Sequence, residues 1–217
     1  MRSKPRDTIS AAIRAAAAAG RPAVVGFMTG GFPDRAGFRR NLAAIGGEAD
    51  VVEIGVPFSD PMADGMTIQR ASQVALRGGF TLPWLLDELR QMQPRPNAPL
   101  LLMSYLNPLL AYGLDRLPEA AVEAGVAGFI IPDLPYEESA EMRAAFDRVG
   151  VALVHLVPPA TPPATLPPAA TVRVGLGSVG PVPLRAPDAE AFAASAVDWS
   201  TGTLIDPSAA VRFGELV

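Results

Sequence analysis

Short apolar runs alternate with helix-like stretches at near-even spacing through the first two thirds of this chain, and that alternation is its strongest constraint. Ala23-Val24-Val25-Gly26-Phe27-Met28 reads as a strand, with Thr29-Gly30-Gly31-Phe32-Pro33-Asp34 as its exit loop. Phe38, Leu42 and Ile45 then fall at the spacing of one helix face, ending at Gly46-Gly47. Val51, Val52, Ile54 and Val56 make the second strand, followed by a helix opening near Thr67 and stopping at Gly78-Gly79. Thr81 caps a further helix through Leu85, Leu86 and Leu89. The third strand is Leu100 to Met103, and a helix around Leu117 to Ala124 leads into the fourth, Val126 to Ile131. Met142 and Phe146 mark the next helix, and Val151 to Val157 the fifth strand. Apolar strands separated by helices imply an α/β fold with a parallel sheet, either closed into a barrel or doubly wound. A doubly wound dinucleotide fold should carry G-x-G-x-x-G after its first strand, where this chain has Gly30-Gly31-Phe32-Pro33. The barrel is the expectation, as one domain over 1–217.

One residue breaks the pattern. Glu53 sits inside the second strand, where an ionised carboxylate must be paired, protonated or turned to a cavity. Pairing with a nearby arginine is one reading; a raised pKa suited to proton transfer is the other. Pro57 and Pro61 stop the strand, and Asp60 and Asp64 lie on the loop that follows. Three acids thus gather at the C-terminal end of one βα unit, the end at which parallel folds build their sites.

Composition excludes several classes. The chain of 217 residues carries a net charge of −4 and shows no basic stripe with interleaved aromatics, so nucleic acid is not an expected partner. Without cysteine there is no disulfide scaffold, thiolate zinc site or cysteine nucleophile, and a lone His155 makes a histidine metal site improbable. His155 itself reads as a hydrogen-bonded core residue. The segment Arg2 to Gly20 is interrupted by Arg14 and is too short in apolar length for a signal sequence or a membrane span. It is expected as an amphipathic helix with Ile9 and Ile13 on one face, and a cytoplasmic, membrane-free location follows.

The loop texts Gly26 to Pro33, Val52 to Gly65, Leu102 to Pro108 and Ile131 to Ser139 resemble the tryptophan synthase alpha chain family, and the match runs from about Thr8 to about Leu166. The resemblance implies a (β/α)8 TIM barrel that cleaves indole-3-glycerol phosphate to indole and glyceraldehyde 3-phosphate. It implies a tryptophan synthase beta subunit as partner, in an alpha-beta-beta-alpha assembly, with pyridoxal phosphate held only by that partner and no cofactor in this chain. By the same resemblance Glu53 is the general acid/base, and Asp64 holds the indole N–H, although an acid before a glycine could instead cap the helix at Thr67. Phe27 and Tyr105 match positions lining the indole pocket, with core packing as the plain alternative. Asp133 matches a site-face acid, or else a turn residue between Pro132 and Pro135. Pro57, Asp60 and Asn107 match partner contacts, which could equally be loop and turn formers.

The C-terminal part departs from the family. Thr171 to Gly177 resembles its strand-seven segment, and Gly202-Thr203 its Gly-Ser at the end of strand eight; Gly175, Gly177, Gly202 and Thr203 are therefore the expected phosphate-binding positions. Between Leu166 and Thr171 stand only Pro167 to Ala170, too few for the helix, sixth strand, closing loop and second helix that the family places there. The family's sixth-strand tyrosine and closing-loop Thr-Gly thus have no counterpart, and the barrel end over 167–217 reads as shortened. Either the working protein has residues this chain omits, or the activity is damaged. Two rivals remain: a non-catalytic protein that only docks on a beta subunit, and another phosphate-sugar barrel enzyme. The latter relies on a lysine or histidine at a strand end, for which the chain offers only Lys4 and His155.

Overall fold

The computed structural model describes residues 4–156 throughout and, beyond them, the pairs 175–176, 184–185, 197–198 and 203–204. The chain divides into two units, Met1–Leu156 and Val157–Val217.

In the first unit the order is α1 (Pro5–Ala18), β1 (Val25–Thr29), α2 (Arg35–Glu48), β2 (Val51–Gly55), α3 (Met66–Arg77), α4 (Leu82–Gln91), β3 (Leu100–Met103), α5 (Leu106–Tyr112), α6 (Leu117–Glu123), β4 (Val126–Ile130), α7 (Ala140–Val149) and β5 (Ala152–Val154). The five strands form one parallel sheet in sequence order, β1-β2-β3-β4-β5, as successive right-handed βα crossovers dictate. The strand–helix alternation read from the sequence is therefore present.

Strand parity sorts the side chains. Val52 and Ile54 of β2, Leu100 and Leu102 of β3 and Phe129 of β4 point toward the helices, where they pack with Phe38 and Leu42 of α2 and Phe146 of α7. Phe129 and Phe146 stack with centroids 4.8 Å apart. The opposite face carries Val51, Leu101 and Ala127, and α1 lays Ile9 and Ala12 across them. Ile13, expected beside Ile9, is 45% exposed: Ile9 and the small Ala12 meet the sheet, and Ala16 is buried further along the helix. Helix α2 also runs through its expected stop at Gly46-Gly47 to Glu48, because Gly46 is a packing position, where a Cβ would lie 2.8 Å from that of Pro96.

Two N-caps follow the expected chemistry. The Asp34 carboxylate accepts from the Gly37 N–H at 2.7 Å, and the Thr81 hydroxyl from the Trp84 N–H at 3.2 Å. Helix α5 arises from the Leu106-Asn107-Pro108 text, which reads as a turn. Pro108 stands in its first turn, where the missing N–H is no loss.

In the second unit, β6 (Gly175–Leu176) pairs antiparallel with β7 (Leu184–Arg185), and β8 (Val197–Asp198) antiparallel with β9 (Thr203–Leu204). This corrects the expectation of a parallel seventh strand at Thr171–Gly177. Residues 177–183 suffice for a hairpin connection but not for the crossover that parallel pairing needs. The shortened stretch around 167–170 lies outside the described residues.

Candidate active site

The candidate site lies on the sheet face opposite α2 and α7, the face on which α1 also packs. Along it the register sets Phe27 beside Glu53, Glu53 beside Leu101, Leu101 beside Gly128 and Gly128 beside Ala152. Glu53 is the one charged member of that row. It faces as Val51 does, away from the Val52 and Ile54 side, so parity alone turns the carboxylate inward. Among the described residues it makes no ion pair and accepts no hydrogen bond; several arginines pair with other acids, Arg21 with Asp50 and Arg39 with Glu88 for example. Among the described residues no arginine pairs with Glu53. Burial with no offsetting partner pushes its carboxyl pKa up.

Gly55 follows Glu53 on the same face and shapes the site by lacking a side chain. A Cβ there would lie 2.7 Å from Cζ and 2.9 Å from Cε2 of Phe27, so the Phe27 ring lies over the Gly55 backbone. Sequence reasoning missed this residue. Its signal was a glycine inside an apolar strand, which marks close approach of another group.

Asp64 lies just before α3. The N-cap there is Gly65, with no side-chain cap bond, so the helix-capping alternative for the Asp64 carboxylate does not hold. Its main chain is pinned by Gln69, whose Nε2 donates to the Asp64 carbonyl at 2.8 Å. Burial pushes the Asp64 carboxyl up, and a hydrogen bond from the Tyr105 hydroxyl works against that rise. The same hydroxyl accepts the Ala63 N–H at 2.8 Å. Tyr105 is only 2% exposed and packs on the Phe58 ring with centroids 5.3 Å apart. It is therefore the clamp of the loop that carries Asp64.

Asp133, at the exit of β4, uses one carboxylate oxygen to accept the Leu106 N–H at 2.9 Å. Asp60 is exposed on its loop, where the Ser59 hydroxyl donates to it, and Asn107 is exposed in the first turn of α5. Pro57 is buried and lines a cleft of about 290 Å³ with Leu82, Pro108 and Tyr112. Gly175 and Thr203 fall in the short antiparallel pairs of the second unit, while Gly177 and Gly202 lie outside the described residues. His155 is half-buried: its ring meets Tyr136 edge-on at 5.0 Å, its Nε2 has no hydrogen-bond partner among the described residues, and burial together with Arg143 pushes its pKa down. Among the described residues no group of acids or histidines is arranged to hold a metal ion, and no helix is long and apolar enough to cross a membrane.

A parallel strand–helix sheet in sequence order, with an acid unpaired among the described residues on one face and further acids on its C-terminal loops, matches the TIM-barrel class to which its solved structural neighbours belong. The chain belongs to the tryptophan synthase alpha chain family, whose sequence profile matches residues 13–174. It is 51% identical over 150 residues to the tryptophan synthase alpha chain of Desulfovibrio desulfuricans, covering 69% of this chain and 59% of that one. It is 40% identical over 155 residues to that of Deinococcus radiodurans, covering 71% and 57%. Among solved structures, tryptophan synthase subunit alpha from Legionella pneumophila superposes with a TM-score of 0.65 at 34% identity, over 71% of this chain and 60% of that one. An aminoacrylate-bound tryptophan synthase from M. tuberculosis gives 0.67 at 32% identity, over 72% and 64%. The chain spans under two thirds of the length of the curated relatives it matches.

Proposed function

We propose that this chain is an indole-3-glycerol-phosphate lyase, releasing indole and glyceraldehyde 3-phosphate in tryptophan biosynthesis. The observation that carries the reading is Glu53: a carboxylate on the inner sheet face, without an ion-pair partner among the described residues and with its pKa raised by burial.

The reaction is a retro-aldol cleavage. The bond between indole C3 and the adjoining glycerol carbon breaks, C3 takes up a proton, and the hydroxyl on that glycerol carbon loses one to become the aldehyde. A carboxyl with a raised pKa keeps a protonated fraction nearer neutrality and can serve such transfers in both directions. As C3 takes up its proton the indole nitrogen becomes positive, an ionised Asp64 would offset that charge, and the electrons of the breaking bond then return to the ring and discharge it. Two acids in unlike surroundings suit the two tasks: Glu53 has no hydrogen-bond partner among the described residues, whereas the Tyr105 hydroxyl favours ionised Asp64. Phe27 and Tyr105 would flank the indole ring. Binding of the phosphate is assigned to Gly175, Gly177, Gly202 and Thr203 on the family resemblance alone.

The chemistry needs only these acids, so the chain itself would use no cofactor, pyridoxal phosphate residing in a beta subunit. Exposed Asp60 and Asn107 offer that partner a surface, with Pro57 stiffening the loop from beneath, and a cytoplasmic location fits this role. The Pyrococcus furiosus relative is described as a tryptophan synthase a2b2 complex. The test is Glu53→Gln in the full chain. Indole release should fall by about a hundredfold or more, the scale of a lost general acid/base, with beta-subunit binding intact. Wild-type cleavage by that variant would remove the assignment.

A further inference from the structure

Asp133 is separated in sequence from the residues proposed for the chemistry, and its observed contact is not with an open pocket. One carboxylate oxygen accepts the backbone N–H of Leu106, the first residue of α5. Tyr105, the N-cap of that helix, makes no side-chain cap bond of its own, and Asp133 satisfies the N1 N–H, one of the four donors that a helix start leaves without an intrahelical partner. Asp133 is itself fixed by the turn in which the Leu134 N–H bonds to the Ile131 carbonyl at 3.2 Å. From Leu106 the path runs one residue back to Tyr105, whose hydroxyl takes the Ala63 N–H at 2.8 Å, next to Asp64. Three successive site-face loops, after β4, β3 and β2, are thus joined by two hydrogen bonds.

We propose that Asp133 is a positioning residue: it fixes the first turn of α5, hence the Tyr105 hydroxyl, hence the loop that carries Asp64. The proposal rests on the lyase reading for its catalytic consequence, though not for its structural part. What Asp133 contributes on this account is an acceptor oxygen at a set place. Its negative charge is dispensable, because the partner is a backbone N–H and Asn offers an equivalent oxygen. A residue that touched substrate as an anion would behave in the opposite way.

The test compares Asp133→Asn, Asp133→Ala, Tyr105→Phe and the Asp133→Ala/Tyr105→Phe pair in the full chain, with indole release from indole-3-glycerol phosphate as the assay. Asp133→Asn should retain kcat and KM close to those of the unmutated chain. Asp133→Ala should lose about 10- to 100-fold in kcat, the scale of a small misplacement of a reacting group, and the double variant should be no worse than Tyr105→Phe alone. If Asp133→Asn is as damaged as Asp133→Ala, or if the two single losses multiply in the pair, the proposal is overturned. Should Asp133→Ala fail to fold, the Asn variant alone still decides. A second readout does not need turnover: amide hydrogen exchange at Ala63 by NMR should quicken in Asp133→Ala and in Tyr105→Phe, but not in Asp133→Asn. Unchanged exchange in Asp133→Ala also overturns the proposal. An unmutated chain that shows the expected exchange pattern yet releases no indole would sink the lyase reading and leave the positioning role standing.

Discussion

Gly55→Ala is the most informative small perturbation of this site, because its effect can be worked from one contact. Gly55 and Phe27 lie on adjacent strands, and the added methyl carbon would stand 2.7 Å from Cζ of the Phe27 ring, against 3.4–4 Å for ordinary contact. The ring must therefore withdraw by about 0.7 Å. Overpacking of this kind costs about 1–3 kcal/mol. Phe27 is only half-buried, so its ring has room to swing and the low end, about 1 kcal/mol, is expected. For a chain of this size that lowers Tm by about 2–4 °C. The functional loss should exceed the stability loss, because the displaced ring is the register neighbour of Glu53 and a proposed wall of the indole pocket. A fall in kcat/KM of about tenfold or more is expected from a displacement of that size. The assay is a double-mutant cycle: thermal melting and steady-state indole release for Gly55→Ala, Phe27→Ala and the pair. With the ring gone, the added methyl should cost little. If Gly55→Ala destabilises as much in the Phe27→Ala background as in the unmutated chain, the ring is not what occupies the space and the account of the pocket wall is wrong.

Other substitutions test the fold and the electrostatics. Ile9→Ala should cost about 2–4 kcal/mol in denaturant unfolding, since a buried side chain is removed from the contact between α1 and the inner sheet face, while Ile13→Ala on the same helix should stay within about 0.5 kcal/mol. Asp34→Ala removes the N-cap of α2 and should cost about 1 kcal/mol by the same measurement. Glu53→Gln should raise Tm at neutral pH. The folded-state pKa of Glu53 is above its unfolded value, so the folded chain holds the proton more tightly and loses stability as pH rises through the carboxylate range. The gain from Gln should accordingly fade as pH falls below that range, and a Tm difference that persists unchanged into acid would contradict the origin given for the shift. The Asp50 carboxylate behaves oppositely: the Arg21 guanidinium and the Val24 N–H hold its pKa at about 2 against an ordinary 3.8. Its contribution should be present above pH 3.8 and vanish as pH falls through about 2, and Asp50→Asn should flatten that limb of an acid-unfolding curve.

What was legible in the sequence divides along a physical line. Strands announced themselves because apolar runs buried on both sides have no other home, and β3 was found to the residue. Glu53 was legible for the same reason inverted, as a charge where the environment tolerates none. What escaped was anything set by contacts between distant loops. Helix α5 was hidden by Asn107-Pro108, a dipeptide that starts turns and first helical turns alike. Gly46 was read for its backbone freedom when its use was the space it leaves for Pro96. Ile13 was placed on the buried face because isoleucine outweighs alanine on any hydrophobicity scale, yet close helix–sheet approach favours the alanines. Partners of Asp64 and Asp133 were invisible, since nothing in a linear text says that Tyr105 reaches Ala63 or that a carboxylate at 133 meets the N–H of Leu106.

Those partners set three carboxylates in three different surroundings. An acid with no hydrogen-bond partner among the described residues, Glu53, has its pKa raised and is suited to exchange a proton. An acid against a hydroxyl, Asp64, is drawn back toward the ionised state and suited to hold charge in place. An acid spent on a backbone N–H, Asp133, has an oxygen committed to geometry. Each environment comes from a different source: strand parity for the first, a buried tyrosine for the second, a helix end for the third. The three should therefore answer differently to the loss of charge at constant shape. Glu53→Gln should lower turnover by about a hundredfold or more, and Asp64→Asn should lower it by less, since the proton-transfer group stays in place. Asp133→Asn should leave it nearly whole. Measured side by side under one set of conditions, any other ordering of the three amide variants would mean that the local partners do not set the roles.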